Sequence, residues 1–406
     1  MLRGLVTAGL LFALPAFGQT IDGDWHGALT TPRGALRFQL HFGHDKNGLT
    51  ARFISVDQAG ASFPATAKLD DHHLMLAMPF GATYDATVAV DGKSITGTFT
   101  QHVPLPLTLT PGAVDALWLH KADPGDVTIS TPTGTLAGTV IDKGKLGAVI
   151  LNGSGNANRD GNAPDNDGHG TYLAIAQGLA ANGISSLRFD KRGIGESAPA
   201  MAHENDITMP LMGEDAKAAA AELKHRLGAK CVWLVGHSEG GVVALVAAQG
   251  NPDICGLVLL ASPGRPMPVI LHEQLDRVLP ADQKEAAFAV LDNLSAGRPF
   301  GDVPPSIKGL FRPSLEPYLR SQATLDPSAL AAKLTVPVLI LQGDADVQVS
   351  LADAQALAKA KPDAVLKIEP GINHSQRIAT DDSGKGFVPL APGLIDSITA
   401  FLKAHP

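Results

Sequence analysis

The stretch that most constrains this chain is Val232-Trp-Leu-Val-Gly-His-Ser-Glu-Gly-Gly241, with Ser238 at its centre. Val232 to Val235 is a short apolar run of the kind that forms a buried strand. Gly236-His237-Ser238-Glu239-Gly240 fits G-x-S-x-G, and Glu239 to Gln249 has the small-residue character of a packed helix. Strand, tight turn and helix in that order are the context a nucleophile elbow requires. Such a turn strains the serine backbone, and glycines two positions to either side remove Cβ atoms that would collide with strand and helix. The hydroxyl is lifted above the sheet edge. The Glu239 amide, in a first helical turn where N–H groups lack partners, points toward the same space. Alone the pattern is weak, because a chain with 43 glycines can produce it by chance. Its flanks and its partners give it weight.

A serine hydroxyl is a poor nucleophile near neutral pH and needs a base, and the base needs an acid to fix its tautomer. Downstream, Val338–Gln342 reads as a strand ending in Gly343-Asp344-Ala345-Asp346-Val347, which offers Asp344 and Asp346 as acids. The next apolar run, Val365–Ile368, leads to Glu369-Pro-Gly-Ile-Asn-His374, which offers His374 as base. Both loops leave the C-terminal ends of strands, where open α/β sheets bind ligands. His237 is held in the elbow itself, a place for packing or orienting. His169 lies among turn glycines.

From Asp126 onward strands alternate with helices. Val127–Ser130 and Leu136–Ile141 flank a turn at Thr131–Gly134, and Gly147–Leu151 ends in a glycine-rich loop. Helices are expected at Tyr172–Ala181, Met212–Arg226, Gly240–Gln249, Leu351–Ala360 and Gly393–Ala404, and strands at Ser185–Phe189, Leu257–Ala261 and Val365–Ile368. This alternation predicts an α/β fold, a mostly parallel sheet covered by helices on both faces. Residues 263–330 are helical but proline-rich and interrupt the series, so they are read as a cap over the site. Residues 19–122 differ. Leu36-Arg-Phe-Gln-Leu-His-Phe42 alternates apolar and polar residues, while Asn47-Gly48, Asp70-Asp71 and Asp91-Gly92 are turn signals. With Trp25, Phe53, Leu74–Leu76, Val88–Val90, Ile95–Phe99 and Leu105–Leu109, they predict an antiparallel all-β domain of roughly six to eight strands. The 123–126 linker separates it from residues 126–406.

At 406 residues the chain is long for one domain and comfortable for two. A net charge of −8 without a Lys/Arg cluster argues against nucleic acid and anionic membrane surfaces as partners. Residues 1–18 carry Arg3, an apolar run from Leu5 to Phe17 and Ala16-Phe17-Gly18, the layout of a signal peptide cleaved near Gln19. An uncleaved anchor is the alternative; after signal removal no stable membrane span is expected. Export places the chain in the periplasm or outside the cell, where Cys231 and Cys255 meet oxidising conditions. Each cysteine precedes an apolar run, so the two share one end of neighbouring parallel strands, either bridged or as buried thiols. The histidines at 26, 41, 44, 72, 73 and 102 lack metal-ligand spacing. Asp160-Gly-Asn-Ala-Pro-Asp-Asn-Asp167 concentrates carboxylates without the full calcium-loop spacing, which favours turn chemistry. No metal or organic cofactor is expected.

Ser238, Asp346 and His374 in this order, within Gly343-x-x-Asp346-x-x-Val349 and Asn373-His374, resemble the triad of the α/β-hydrolase superfamily. Asp190-Lys-Arg-Gly-Ile-Gly-Glu-Ser197 resembles its Asp-x-Arg-Gly-x-Gly-x-Ser loop. Leu151-Asn-Gly-Ser-Gly155 with Arg159-Asp-Gly-Asn162 resembles the oxyanion loop of bacterial secreted serine esterases, relatives with a peptidase-like domain (prolyl oligopeptidase or dienelactone hydrolase type) behind an N-terminal β extension. The resemblance spans about 127–406 and implies Asp346 as the acid, with the backbone amides of Ser154 and Glu239 as oxyanion donors. Asn152 stands where the family commonly has histidine, and Asn156 where near relatives have proline. Asp190 and Arg192 read as a structural charged pair. The implied activity is a carboxylesterase acting on short to medium acyl esters, a small-molecule substrate. A serine peptidase or acyl-peptide hydrolase and a non-catalytic binding protein on the same scaffold are the alternatives. Oligomeric state is not legible.

Overall fold

The computed structural model describes residues 21–32, 34–164, 170–379 and 389–405. The stretch read as an export signal lies outside them, as do Asp165, Asp167 and His169. The described chain divides into two compact units. One takes the chain up to Phe53 together with Pro64–Val114, and the other takes Ile54–Phe63 with everything from Asp115 onward.

In the first unit, β1 (Gly23–Thr31), β2 (Gly34–Asp45), β3 (Gly48–Ser55), β4 (Ala61–Asp70), β5 (His73–Ala77), β6 (Thr83–Val88), β7 (Ile95–Thr100) and β8 (Pro104–Pro111) form a closed barrel in chain order. Pairing of Trp25 with Pro111 and His26 with Thr110 closes the ring, which leaves no sheet edge to template other chains. Strict inside–outside alternation in β5 and β6 fills the interior with Leu74, Leu76, Tyr84, Ala86 and Val88. The rings of Phe38, Phe53 and Phe99 lie 4.8–6.0 Å apart within it. Two sequence expectations need correction. The strand expected at Val88–Val90 ends at Val88, because the Asp91-Gly92 turn begins at Ala89, whose carbonyl takes the Gly92 amide at 2.9 Å. β4 was not anticipated, since Pro64, Lys68 and Asp70 dilute its apolar alternation.

The second unit holds an eight-stranded sheet. Its strands are β9 (Asp126–Thr131), β10 (Gly134–Ile141), β11 (Gly147–Leu151), β12 (Ser185–Phe189), β13 (Val232–His237), β14 (Ile254–Leu260), β15 (Val338–Gly343) and β16 (Val365–Glu369). The spatial order is β16-β15-β14-β13-β11-β12-β10-β9. β10 runs antiparallel to both neighbours and the pairs from β12 to β16 are parallel. Central strands β11 and β13 are buried at every position, as strands covered on both faces must be. One face packs on α2 (Met209–Leu227), α3 (Glu239–Ala247), α7 (Pro327–Ala332) and α8 (Leu351–Ala360), the other on α1 (Thr171–Ala181) and α9 (Leu394–Ala404). The expected cap is present as α4 (Met267–Val278), α5 (Ala281–Ser295) and α6 (Glu316–Ala323), with its own core of Leu291, Leu294, Phe300, Phe311 and Leu319.

Two boundaries differ from expectation for local reasons. α2 starts at Met209 instead of Met212, because Thr208 caps the helix (Leu211 N to Oγ1, 3.3 Å) and Pro210 falls in the first turn, where no intrahelical donor is needed. Residues 115–122, and the segment around the β3–β4 turn (residues 54–63, which includes the adjoining ends of those two barrel strands), group with the second unit. Trp118 Nε1 donates to the Val56 carbonyl at 2.7 Å, and His120 Nε2 lies 2.8 Å from the Asp126 carboxylate.

Cys231 and Cys255 are bridged, with Cα atoms 5.2 Å apart where β13 and β14 begin, at the opposite end of β13 from Ser238. The bridge closes a loop of 24-residue separation, so removing it frees unfolded-chain entropy worth about 3 kcal/mol. Cys231→Ala with Cys255→Ala is expected to lower the calorimetric melting midpoint by several degrees, and dithiothreitol is expected to lower the wild-type midpoint to match.

Candidate active site

The elbow forms as its glycine spacing requires. Ser238 adopts φ 53°, ψ −123°, a strained conformation for a residue with a Cβ. Its amide donates to Leu260 O at 2.8 Å and its carbonyl accepts from Gly241 N at 2.9 Å, so neighbouring β14 and the start of α3 hold the strain in place. A Cβ on Gly236 would come within 2.4 Å of Gly240 O, and one on Gly240 within 2.2 Å of Leu151 O. The absent side chains thus let α3 seat directly on the end of β11. Gly241, which sequence reasoning passed over, is equally tight: a Cβ there would meet Ser262 Oγ at 2.1 Å.

The loops after β15 and β16 bring Asp346 and His374 together, with Nδ1 2.8 Å from Oδ2. The other carboxylate oxygen accepts the amides of Gln348 (2.7 Å) and Val349 (3.0 Å), and Gln342 Nε2 adds a contact to Oδ2 at 3.2 Å. Burial pushes the Asp346 carboxyl up, but His374 and the two amides outweigh it and hold it below the usual carboxylate value. Asp346 is therefore an ionised, oriented acceptor that selects the Nδ1–H tautomer of His374 and leaves Nε2 unprotonated. Asp344 is exposed and accepts the Gly371 amide at 2.6 Å. It braces the histidine loop from outside.

His237 packs between these loops. Its Nε2 lies 2.8 Å from the His374 carbonyl and its Nδ1 3.1 Å from the Tyr172 hydroxyl. Burial, with His374 nearby, pulls its pKa down to about 3, so the ring is neutral. A carbonyl only accepts, so Nε2 carries the proton and Nδ1 takes one from Tyr172. The Tyr172 oxygen in turn accepts the Gly153 amide at 2.8 Å. One chain of hydrogen bonds therefore ties the residue before Ser154, the residue before Ser238 and the backbone of His374. Sequence reasoning missed Tyr172, which sits in an apolar helical run and reads as core. Tyr172→Phe leaves Gly153 N–H and His237 Nδ1 without partners; the expected cost is about 1–3 kcal/mol in stability with roughly tenfold lower turnover, read from melting curves and ester kinetics.

Ser154 follows β11. Asn152, in the position where the family commonly carries histidine, donates from Nδ2 to Asn158 O at 2.9 Å and so shapes the loop from within. Among the described residues neither the Ser154 nor the Glu239 amide has an acceptor, and both residues line a cavity with Ser238. That cavity, about 150 Å³, is walled by Val242 of α3 and by cap residues including Met267, Ile270, Leu271 and Leu325. A second cavity of about 600 Å³ shares Ser154, Glu239 and Tyr318 and continues past Lys191 and Met201.

The expected Asp190–Arg192 pair does not form. Asp190 binds buried Arg159 (2.7 Å), which also reaches Glu196, while Arg192 forks onto Asp215 with two contacts of 2.7 Å. Both residues lie in the turn beyond β12, and each finds its partner far along the chain, 31 residues away for Asp190 and 23 for Arg192. In the carboxylate-rich loop, Asp160 accepts from Arg188 (2.7 Å) and Asn162 from the Gly170 amide (2.9 Å), which is turn and anchoring chemistry.

The strand order with one antiparallel member, the elbow after β13 and the facing Asp–His loops give the second unit the α/β-hydrolase fold. Residues 166–287 match the family described as serine aminopeptidase, S33. The chain is 28% identical over 242 residues to Esterase EstD of Thermotoga maritima, covering 58% of this chain and 53% of that protein, so it spans about half of EstD's length. It is 25% identical over 243 residues to the monoacylglycerol lipase of Mycolicibacterium smegmatis, covering 52% and 81%. Among solved structures, the Pyrococcus furiosus esterase Pf2001 is similar at 17% identity and a TM-score of 0.47, covering 71% of this chain and 97% of that one.

Proposed function

We propose that the chain is a serine hydrolase that cleaves carboxylic esters of short to medium acyl groups. Ser238 Oγ attacks the ester carbonyl while His374 Nε2 takes its proton. The tetrahedral oxyanion sits between the Ser154 and Glu239 amides. Collapse expels the alcohol, which takes the proton back from His374 and leaves an acyl group on Ser238. Water, activated by the same imidazole, then releases the acid. Asp346 stabilises the imidazolium in both halves. Ser238 Oγ and His374 Nε2 make no hydrogen bond to each other among the described residues, and bonds of this kind often tighten only with substrate present. The carrying observation is the oriented Asp346–His374 couple, bound through its backbone to the elbow that presents Ser238.

The 150 Å³ apolar cavity suits an acyl chain of roughly six carbons, the size of a benzene-filled cavity of that volume. The serine aminopeptidase match favours a peptidase as the second reading. An aminopeptidase needs a free carboxylate for the substrate ammonium, however, and the carboxylate lining this cavity, Glu239, is already engaged by Tyr318 and Gln322. We place the protein in the periplasm or outside the cell: the 1–18 stretch and the Cys231–Cys255 bridge both support export. No helix of the described residues is long and apolar enough to cross a membrane. The test is a panel of p-nitrophenyl esters beside aminoacyl p-nitroanilides, with fluorophosphonate labelling. Ester turnover with an adduct on Ser238 is expected. Turnover of anilides alone would make it a peptidase, and a folded protein that takes no label would make it a binding protein.

A further inference from the structure

Lys191 is half-buried in the turn after β12, and the mechanism above does not use it. Its ammonium donates to the Gly153 carbonyl at 2.6 Å and stands 3.9 Å from Glu239 Oε1. Gly153 C=O and Ser154 N–H belong to one peptide unit, the unit whose N–H is the proposed oxyanion donor. A trans peptide is planar, with C=O and N–H pointing in opposite directions. A cation fixed on the oxygen therefore fixes where the N–H points. It also draws electron density toward the oxygen and leaves the N–H a stronger donor, as hydrogen bonds polarise one another along a chain. The other end of Gly153 is held independently, its own N–H on the Tyr172 hydroxyl.

We infer that Lys191 is a positioning residue of the oxyanion hole, orienting and polarising the Gly153–Ser154 peptide, and that Glu239 links it to the cap. This rests on the esterase reading of the site. Glu239 is nearly fully buried, and its second carboxylate oxygen accepts from the Tyr318 hydroxyl and from Gln322 Nε2 (2.8 Å), both on α6. The same residue contributes its backbone amide as the second proposed donor. A line of contacts thus runs from the cap through the Glu239 carboxylate and Lys191 to the peptide that binds developing charge. Cap residues that meet the substrate are in this way connected to the group that stabilises the transition state.

The test uses the full chain and p-nitrophenyl butyrate. Lys191→Met keeps the stem and removes the charge; it is expected to lower kcat by about 10–100-fold with KM within about twofold of wild type, since the donor is misaimed and not lost. Affinity for a trifluoromethyl ketone, which adds to Ser238 and places an oxyanion between the two amides, is expected to fall by the same factor. Lys191→Met leaves Glu239 without its cation, so Lys191→Met/Glu239→Gln serves as the second variant: it is expected to recover any lost thermal midpoint and to stay as slow as the single variant. Recovery of kcat in the double variant would mean that Lys191 only neutralises Glu239 and would overturn the inference. So would a loss confined to KM, or an unchanged kcat in an otherwise active enzyme. A wild type inert to both ester and fluorophosphonate would remove the esterase reading and this inference together.

Discussion

Ser238→Ala is expected to reduce ester turnover by about four to six orders of magnitude and to abolish fluorophosphonate labelling, with the fold retained. The hydroxyl is the only atom lost. The backbone bonds that hold the elbow, Ser238 N to Leu260 O and Gly241 N to Ser238 O, do not involve it. Alanine has the same Cβ and inherits the same strained φ of 53°. Ser238→Gly makes the complementary point. Glycine adopts positive φ without steric cost, so this variant should be equally inactive yet melt higher than Ser238→Ala, by up to about 1–3 kcal/mol of relieved strain. Stability rising as activity vanishes would show that the elbow is held against its own conformational preference. Residual hydrolysis above a tenth of wild type in Ser238→Ala would place the nucleophile elsewhere.

The α/β half of this molecule was legible in the sequence because its strands are covered on both faces. Val232–Val235 and Val338–Leu341 read as unbroken apolar runs, and the residues that follow each run open on one sheet edge. That is why the sequence itself puts Ser238, Asp346 and His374 on loops at one edge of the sheet. What stayed hidden depends on partners distant in the chain. Tyr172 is one apolar residue among several in α1 until the fold brings it beside His237 and Gly153, 65 and 19 residues away. Lys191 sits between Asp190 and Arg192 in a charged loop, and only the fold brings its half-buried ammonium onto a backbone carbonyl 38 residues away. The Asp190–Arg192 pairing failed for the same reason: adjacency in sequence says little about which buried charges meet. Glu239 fills an x position of G-x-S-x-G, and the cap helix engages its carboxylate from above.

Asp346→Asn is expected to lower kcat by about 10⁴ through the tautomer of His374, a larger effect than loss of one charge near the site would give. Oδ1 of Asp346 accepts two backbone amides, from Gln348 and Val349. An asparagine must keep its oxygen there, because an NH₂ group cannot accept those bonds. Its NH₂ then falls where Oδ2 meets His374 Nδ1. Facing a donor, Nδ1 must accept, which moves the ring proton to Nε2, the atom that should take the proton from Ser238. The same NH₂ faces Gln342 Nε2, so a modest stability loss should accompany the kinetic one. Asp344→Asn offers the contrast two residues away. Its carboxylate is exposed and receives a single amide, from Gly371, which an asparagine oxygen accepts equally well. Turnover within a few-fold of wild type is expected there. Steady-state kinetics of the two variants, with melting curves to show that both fold, decide between the carboxylates: if Asp344→Asn proves the more damaging, Asp346 is not the acid that orients His374.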